Sequence, residues 1–206
     1  MEPYKTVRQE GCGEYEVKRS RFLCYVRPVR TPEEAQAFIA EVKQKHWDAR
    51  HNCSAYRLRE GGLKRFSDDG EPQGTAGMPI LDVLEKQDVS DVCVVITRYF
   101  GGILLGAGGL VREYSHSASL ALEAGEVVEM IPGALGSFTC DYTLYGRIPA
   151  LLAEVEGAET GTDFADRVTV HFRLPEENLD RFRAKLTEYS SGKVTAEVEG
   201  FDYYEK

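Results

Sequence analysis

The run Asp91-Val92-Cys93-Val94-Val95-Ile96-Thr97 constrains this chain more than any other stretch, because a near-continuous series of Val and Ile between polar ends reads as a buried strand. Two glycine-punctuated segments flank it. Ser67-Asp68-Asp69-Gly70-Glu71-Pro72-Gln73-Gly74-Thr75-Ala76-Gly77 comes before, and Arg98-Tyr99-Phe100-Gly101-Gly102 running on to Gly106-Ala107-Gly108-Gly109-Leu110 comes after. Each reads as a loop entering a helix, where free backbone amides and polar side chains can converge on a ligand. The strand between them would hold both loops on one scaffold.

Around this centre, strand and helix signals alternate. Tyr4 to Arg8, Gly13 to Val17 and Phe22 to Val29 predict short strands. Thr31-Pro32-Glu33-Glu34 opens a helix with Thr as N-cap, Pro at the first helical position and acids suited to the dipole, and Ala35, Phe38, Ile39 and Val42 form its apolar side. Asn52 to Arg59 predicts a strand, and Thr75 to Lys86 a helix that tolerates Pro79 only in its first turn. Gly106 to Ala124 predicts a long helix whose small residues suit close packing on a sheet. Ile131-Pro132-Gly133 marks a candidate boundary, because the signals restart after it. They run Ser137 to Tyr142 as strand, Tyr145 to Val155 as helix, Ala158 to Asp163 and Arg167 to Leu174 as strands, Pro175 to Tyr189 as helix and Lys193 to Glu199 as strand. That βαββαβ order is the ferredoxin-like arrangement. The expected fold class is α+β, with domains over 1–131 and 132–206.

The 206-residue chain has a formal net charge of −9. This argues against coating nucleic acid by bulk electrostatics, and DNA is not an expected partner. Residues 1–131 carry 17 basic and 20 acidic side chains and 132–206 carry 8 and 14, so any polyanion site is expected in the first part. There the basic residues cluster as Lys18, Arg19, Arg21, Arg27 and Arg30, then Arg50, Arg57, Arg59, Lys64 and Arg65. Cys12, Cys24, Cys53, Cys93 and Cys140 include no CxxC pair and leave an odd one over, which fits reduced, mostly buried thiols. With no apolar signal region and no stretch approaching about 18 apolar residues, a cytoplasmic location without membrane contact is expected.

Asp68, Asp69 and Glu71 lie within four positions, and with Ser67, Thr75 and the loop amides they offer the oxygen ligands that Mg²⁺ prefers. The same Asp-Asp-Gly is also turn chemistry that needs no ligand. Arg98 ends a strand, and Gly106, Gly108 and Gly109 begin a helix whose bare amides favour an anion; the glycines equally permit a tight strand-to-helix crossover. Neither a dinucleotide-binding nor a Walker motif is present. His51 and His116 are candidate bases without a nucleophile elbow or a paired Cys/His signature. Tyr99, Phe100 and Tyr114, near Arg98 and Arg112, offer stacking surfaces for bases or pack into the core and its rim.

Three long motifs carry a family resemblance. They are Ala49-Arg50-His51-Asn52-Cys53-Ser54-Ala55-Tyr56-Arg57; Ser67 to Pro72 with Gly74 to Leu81; and Val95 to Gly102 with Gly106 to Tyr114. The chain resembles the IMPACT family, in its bacterial YigZ-type branch, over nearly its whole length. The resemblance implies a first domain with the two-layer α/β fold of ribosomal protein S5 domain 2, followed by a ferredoxin-like domain similar to the last domain of elongation factor G. Eukaryotic relatives regulate translation by competing for the activator of a kinase of translation initiation. The bacterial branch lacks their extra N-terminal domain, so that partner is not carried over.

Three functions follow as expectations. The leading one is a non-enzymatic regulator or binding protein acting on translation through RNA or a ribosome-associated protein. The second is a phosphate- or nucleotide-binding enzyme in which Gly106 to Gly109 cradle phosphate, Asp68, Asp69 or Glu71 hold Mg²⁺ and Arg98 neutralises charge. The third is a protein-interaction module whose two loops are structural. The candidate ligand residues are His51, Arg57, Ser67, Asp68, Asp69, Glu71, Thr75, Arg98, Tyr99, Phe100, Gly106, Gly108, Gly109 and Arg112. The oligomeric state is left open.

Overall fold

In a computed structural model that describes residues 1–206, the chain divides into a unit of Tyr4–Glu129 and a unit of Met130–Lys206 with Met1–Pro3. The first unit contains β1 (Tyr4–Val7), β2 (Gly11–Val17), β3 (Ser20–Pro28), α1 (Pro32–Lys45), β4 (His51–Arg57), β5 (Lys64–Ser67), α2 (Gly77–Lys86), β6 (Val92–Tyr99) and α3 (Ala107–Gly125). Its sheet runs β2-β3-β6-β4-β5, with every neighbour antiparallel.

The Val/Ile run is β6, the middle strand of this sheet, and residues Val92 to Arg98 are all buried. Polar alternation is absent because both faces are covered. Phe22, Cys24, Cys53, Ala55, Val94 and Ile96 pack on one side with Ile80 and Leu84 of α2 and Leu110, Tyr114, Ala118 and Leu122 of α3. Sheet and α2/α3 supply the two layers expected from the resemblance, and α1 adds a third. On the opposite face Leu23, Tyr25, Tyr56, Cys93 and Val95 meet Ala35, Phe38 and Val42 of α1. Thr31 caps α1 as its sequence predicts, with its Oγ1 accepting from the Glu34 N–H at 3.2 Å. Strand β5 has no counterpart in the sequence signals. All four of its residues are exposed, and it exists through its register with β4, from Ser54↔Ser67 to Arg57↔Lys64.

The later elements are β7 (Val127–Cys140), α4 (Tyr142–Tyr145), α5 (Ile148–Ala153), β8 (Ala158–Phe164), β9 (Val168–Pro175), α6 (Leu179–Tyr189) and β10 (Glu197–Glu205). The antiparallel order β10-β7-β9-β8 is ferredoxin-like, and Phe138, Phe172 and Phe182 form the aromatic centre of its core. Three local expectations differ. The candidate boundary Ile131-Pro132-Gly133 does not interrupt the strand but lies within β7, where Pro132 is opposite Tyr203 and just outside the β9 register, which begins at Gly133↔Pro175. The expected helix over 145–155 is two short helices separated at Gly146-Arg147, with a Pro in the first turn of α5. The last strand is displaced to Glu197–Glu205. No helix is long and apolar enough to cross a membrane.

Candidate functional site

The loop between β5 and α2 is held together by its own carboxylates. Asp68 Oδ1 accepts the N–H groups of Ala76 and Gly77 at 3.1 and 2.8 Å, and Oδ2 accepts that of Gly74 at 2.8 Å. Ala76, at the N-cap of α2, has no side-chain acceptor to offer, so Asp68 caps the helix from eight positions upstream. Asp69 accepts from Lys43 Nζ and from the Asn52 N–H, both at 2.7 Å, while its own N–H donates to Ser67 Oγ at 3.2 Å. Thr75 Oγ1 donates to the Pro72 carbonyl at 2.6 Å. The loop thus follows the turn alternative for Asp-Asp-Gly, and the carboxylates of Asp68, Asp69 and Glu71, the candidates for Mg²⁺, are engaged by other groups. Two of these carboxylates serve backbone amides, the third faces an arginine, and nowhere do three His, Cys, Asp or Glu side chains gather to hold a metal ion. The residues do not fit the cation.

Glu71 turns inward to a buried pair. Its side chain and that of Arg98 are 4% and 5% exposed, and Arg98 Nη1 donates to Glu71 Oε1 at 2.7 Å. The Tyr114 hydroxyl donates to the same oxygen at 2.8 Å. Cys53 Sγ lies 2.9 Å from the Asp68 carbonyl and 3.4 Å from the Tyr114 hydroxyl. Burial pushes both the thiol of Cys53 and the phenol of Tyr114 well above their ordinary ranges, so both stay protonated. Arg98 Nη2 donates to Ser20 Oγ at 3.2 Å, but its Nε is buried without any acceptor. The guanidinium lies 5.6 and 5.5 Å from the ring centroids of Phe22 and Phe100. His51 Nδ1 donates to the Asp69 carbonyl at 3.0 Å, which leaves Nε2 3.9 Å from Glu71 Oε2.

These groups border a cleft of about 360 Å³ within the first unit. Its lining combines polar Arg50, His51, Glu71 and Arg98 with apolar Phe100, Leu104, Leu105 and Leu110, and Gly106 and Ala107 bring in the start of α3. Gly106 stands at φ +73° and provides no side-chain cap. The first helical bond runs from the Leu110 N–H to the Gly106 carbonyl at 2.9 Å, so the amides of Ala107, Gly108 and Gly109 stay open. Gly101 is required for a different reason: a Cβ there would sit 1.9 Å from the Arg19 carbonyl oxygen. At Gly108 a Cβ would meet nothing within 4 Å.

Of the sequence candidates, His51, Glu71, Arg98, Phe100 and Gly106 meet at the cleft, with Gly108 and Gly109 following in the first turn of α3. Ser67, Asp68, Asp69 and Thr75 build the loop instead. Arg57 is drawn away to Asp88 at 2.9 Å, and Tyr99 donates to Asp48 at 2.9 Å beside α1. Arg112 is exposed on α3 outside the lining, and Tyr114 is fully buried, so it presents no stacking face. Half of the ten early basic residues are ion-paired, through Arg21–Glu14, Arg27–Glu10, Arg27–Glu41, Arg57–Asp88, Arg59–Asp91 and Lys64–Glu85. Arg50 makes no such pair. Sequence reasoning did not select Ser20, Leu104 or Leu105; the apolar pair Leu104-Leu105 inside a glycine loop was the available signal.

Comparison with known proteins covers both units. Residues 18–122 match the Impact N-terminal domain and residues 138–193 match a domain of unknown function (DUF1949). The chain belongs to the IMPACT family. It is similar to the IMPACT family member YvyE of Bacillus subtilis (strain 168), 40% identical over 207 residues, 100% of this chain and 95% of that protein. It is also similar to YigZ of Escherichia coli (strain K12), 36% identical over 182 residues, 87% of this chain and 89% of that one. Protein IMPACT of Mus musculus is 38% identical over 95 residues, 43% of this chain and 29% of that protein. A solved structure, described as the crystal structure of an hypothetical protein, superimposes with a TM-score of 0.61 at 34% identity, covering 95% of this chain and 97% of that one. The matched Impact N-terminal domain contains every residue of the cleft.

Proposed function

We propose that this IMPACT family member is a non-enzymatic binding protein acting on translation, and that its cleft holds a phosphate of single-stranded RNA at the start of α3 with a base against Phe100. The observation that carries this reading is the uncapped first turn of α3 opening on the cleft beside Arg98, whose buried Nε has no acceptor. Open amides, the helix dipole and an unpartnered guanidinium N–H all favour an anion. Arg50 adds an unpaired cation, and Phe100, 43% exposed, adds a stacking face.

Gly108→Asp tests this reading. The new side chain enters open space, and an acid in the first turn suits the helix, yet it puts a negative charge beside the open amides that would hold the phosphate. Fluorescence anisotropy with a labelled 12-nucleotide oligouridylate should show binding weakened at least tenfold while Tm is unchanged or raised. Binding equal to that of the unaltered protein would overturn the reading.

A further inference from the structure

The division of charge along the chain assigns any polyanion site to the first part, but the second unit gathers three of its eight basic side chains around one cleft of about 270 Å³. Arg147 comes from the α4–α5 junction, Arg167 from the turn between β8 and β9, and Lys193 from the segment after α6. Three separate segments thus converge. Arg147 and Lys193 make no ion pair or side-chain hydrogen bond, and Arg167 donates only to the Thr139 carbonyl, at 3.1 Å. Elsewhere in the unit Lys185 is drawn to Glu154, and Arg183 approaches Asp180 at 3.9 Å.

The acid in the lining, Asp141, forms no ion pair with the three cations; its Oδ1 accepts the Leu144 N–H at 2.8 Å as the cap of α4, and three cations against one carboxylate leave the lining net positive. Like charges held together in excess of their counterions repel, and a bound anion relieves that repulsion. A phosphate group fits the chemistry, since guanidinium forks and an ammonium recognise its oxygens. The volume lies below the roughly 300–1,000 Å³ of a drug-sized site and suits one phosphate with part of its attached group. Tyr189, 39% exposed, stands in the same lining and offers a ring for stacking.

We infer that the cleft formed by Arg147, Arg167, Lys193 and Tyr189 is a second phosphate-binding site, and that its phosphate comes from single-stranded RNA. The choice of RNA rests on the function proposed above; the phosphate site itself rests on the cations. The test uses the full chain carrying Arg147→Gln and Lys193→Gln together, both at exposed positions. Anisotropy with labelled oligouridylate is measured across a KCl series, beside Gly108→Asp and the unaltered protein. Two lost phosphate contacts should flatten the slope of log affinity against log salt by about 1.4. Amide resonances of Ser191 and Lys193 should also shift on titration with pyrophosphate in the unaltered protein and not in the double variant.

If Gly108→Asp weakens RNA binding while the double variant leaves the salt slope unchanged, this inference is overturned and the first cleft stands. Should neither variant affect RNA while pyrophosphate shifts those amides, the RNA source is overturned and a free phosphate compound is the ligand. Absence of any shift with pyrophosphate, together with an unchanged slope, overturns the site altogether.

Discussion

The Glu71–Arg98 pair sets the sharpest energetic test. Glu71→Leu leaves a guanidinium buried without its carboxylate, and the side chains are 4% and 5% exposed, so water cannot replace the partner. Breaking such a pair from one side costs about 3–5 kcal/mol. The Tyr114 hydroxyl also loses the acceptor it holds at 2.8 Å, adding about 1 kcal/mol. A loss of about 4–6 kcal/mol is expected, a large part of the roughly 5–15 kcal/mol that holds a domain folded. Arg98→Met strands the carboxylate instead, although Tyr114 still donates to it, so about 3 kcal/mol is expected. The double variant leaves no uncompensated charge and should lose no more than the worse single change. The coupling is then about 3 kcal/mol. Urea unfolding followed by circular dichroism, reading the midpoint of the first unit's transition at constant m, measures all four proteins. Losses in the double variant that equal the sum of the single losses, within about 0.5 kcal/mol, would refute the reasoning.

Asp68→Ala should destabilise by about 2–4 kcal/mol, since the buried N–H groups of Ala76 and Gly77 lose their acceptor, and Asp68→Asn by about half as much; a loss under about 1 kcal/mol for the alanine change would show the cap to be idle. His46 accepts from the Tyr25 hydroxyl at Nε2, and its Nδ1–H meets the Tyr99 oxygen, whose own hydrogen goes to Asp48. The neutral ring satisfies this chain, and burial together with Lys45 lowers the pKa of His46 below 6.5. The unfolded chain therefore binds the proton at higher pH, so this stability is present above pH 6.5 and is lost as pH falls through the folded value. His46→Gln should flatten the stability change between about pH 7.5 and 5.5, and an unaltered profile would count against the ring's role. Cys12 is the exposed thiol, while burial raises Cys24 to about 12 and Cys93 higher still. Brief alkylation of the native protein near pH 8 should therefore modify Cys12 first, as mass spectrometry of its peptides would reveal; early labelling of Cys24 or Cys93 would contradict their burial.

What could be read from residues alone follows from where each signal lies. The Val92–Ile96 run and the Thr31-Pro32 start of α1 announce themselves locally, because burial and capping leave marks in consecutive residues. Strand β5 leaves no mark: Lys64 to Ser67 are exposed, and only backbone pairing with β4 makes them a strand. Pro132 and Gly133 read as a boundary in isolation, yet β10, some 70 residues onward, supplies the ladder that keeps them extended. At the cleft the residue types were legible and their tasks were not. A carboxylate that caps α2 and one that pairs with a buried arginine read alike as Asp68 and Glu71, and spacing cannot tell either from a metal ligand. Leu104 and Leu105 gain meaning only when the loop is folded beside Arg98.

The loop that Asp68 and Asp69 tie to α2, to β4 and to Lys43 also has a kinetic consequence. A surface already wired by its own side chains has little ordering left to do when a molecule arrives. Encounter should then be a single step: in stopped-flow mixing the observed rate should climb in proportion to ligand concentration and reach no plateau. Differences among ligands should appear in how long each stays, not in how fast it enters.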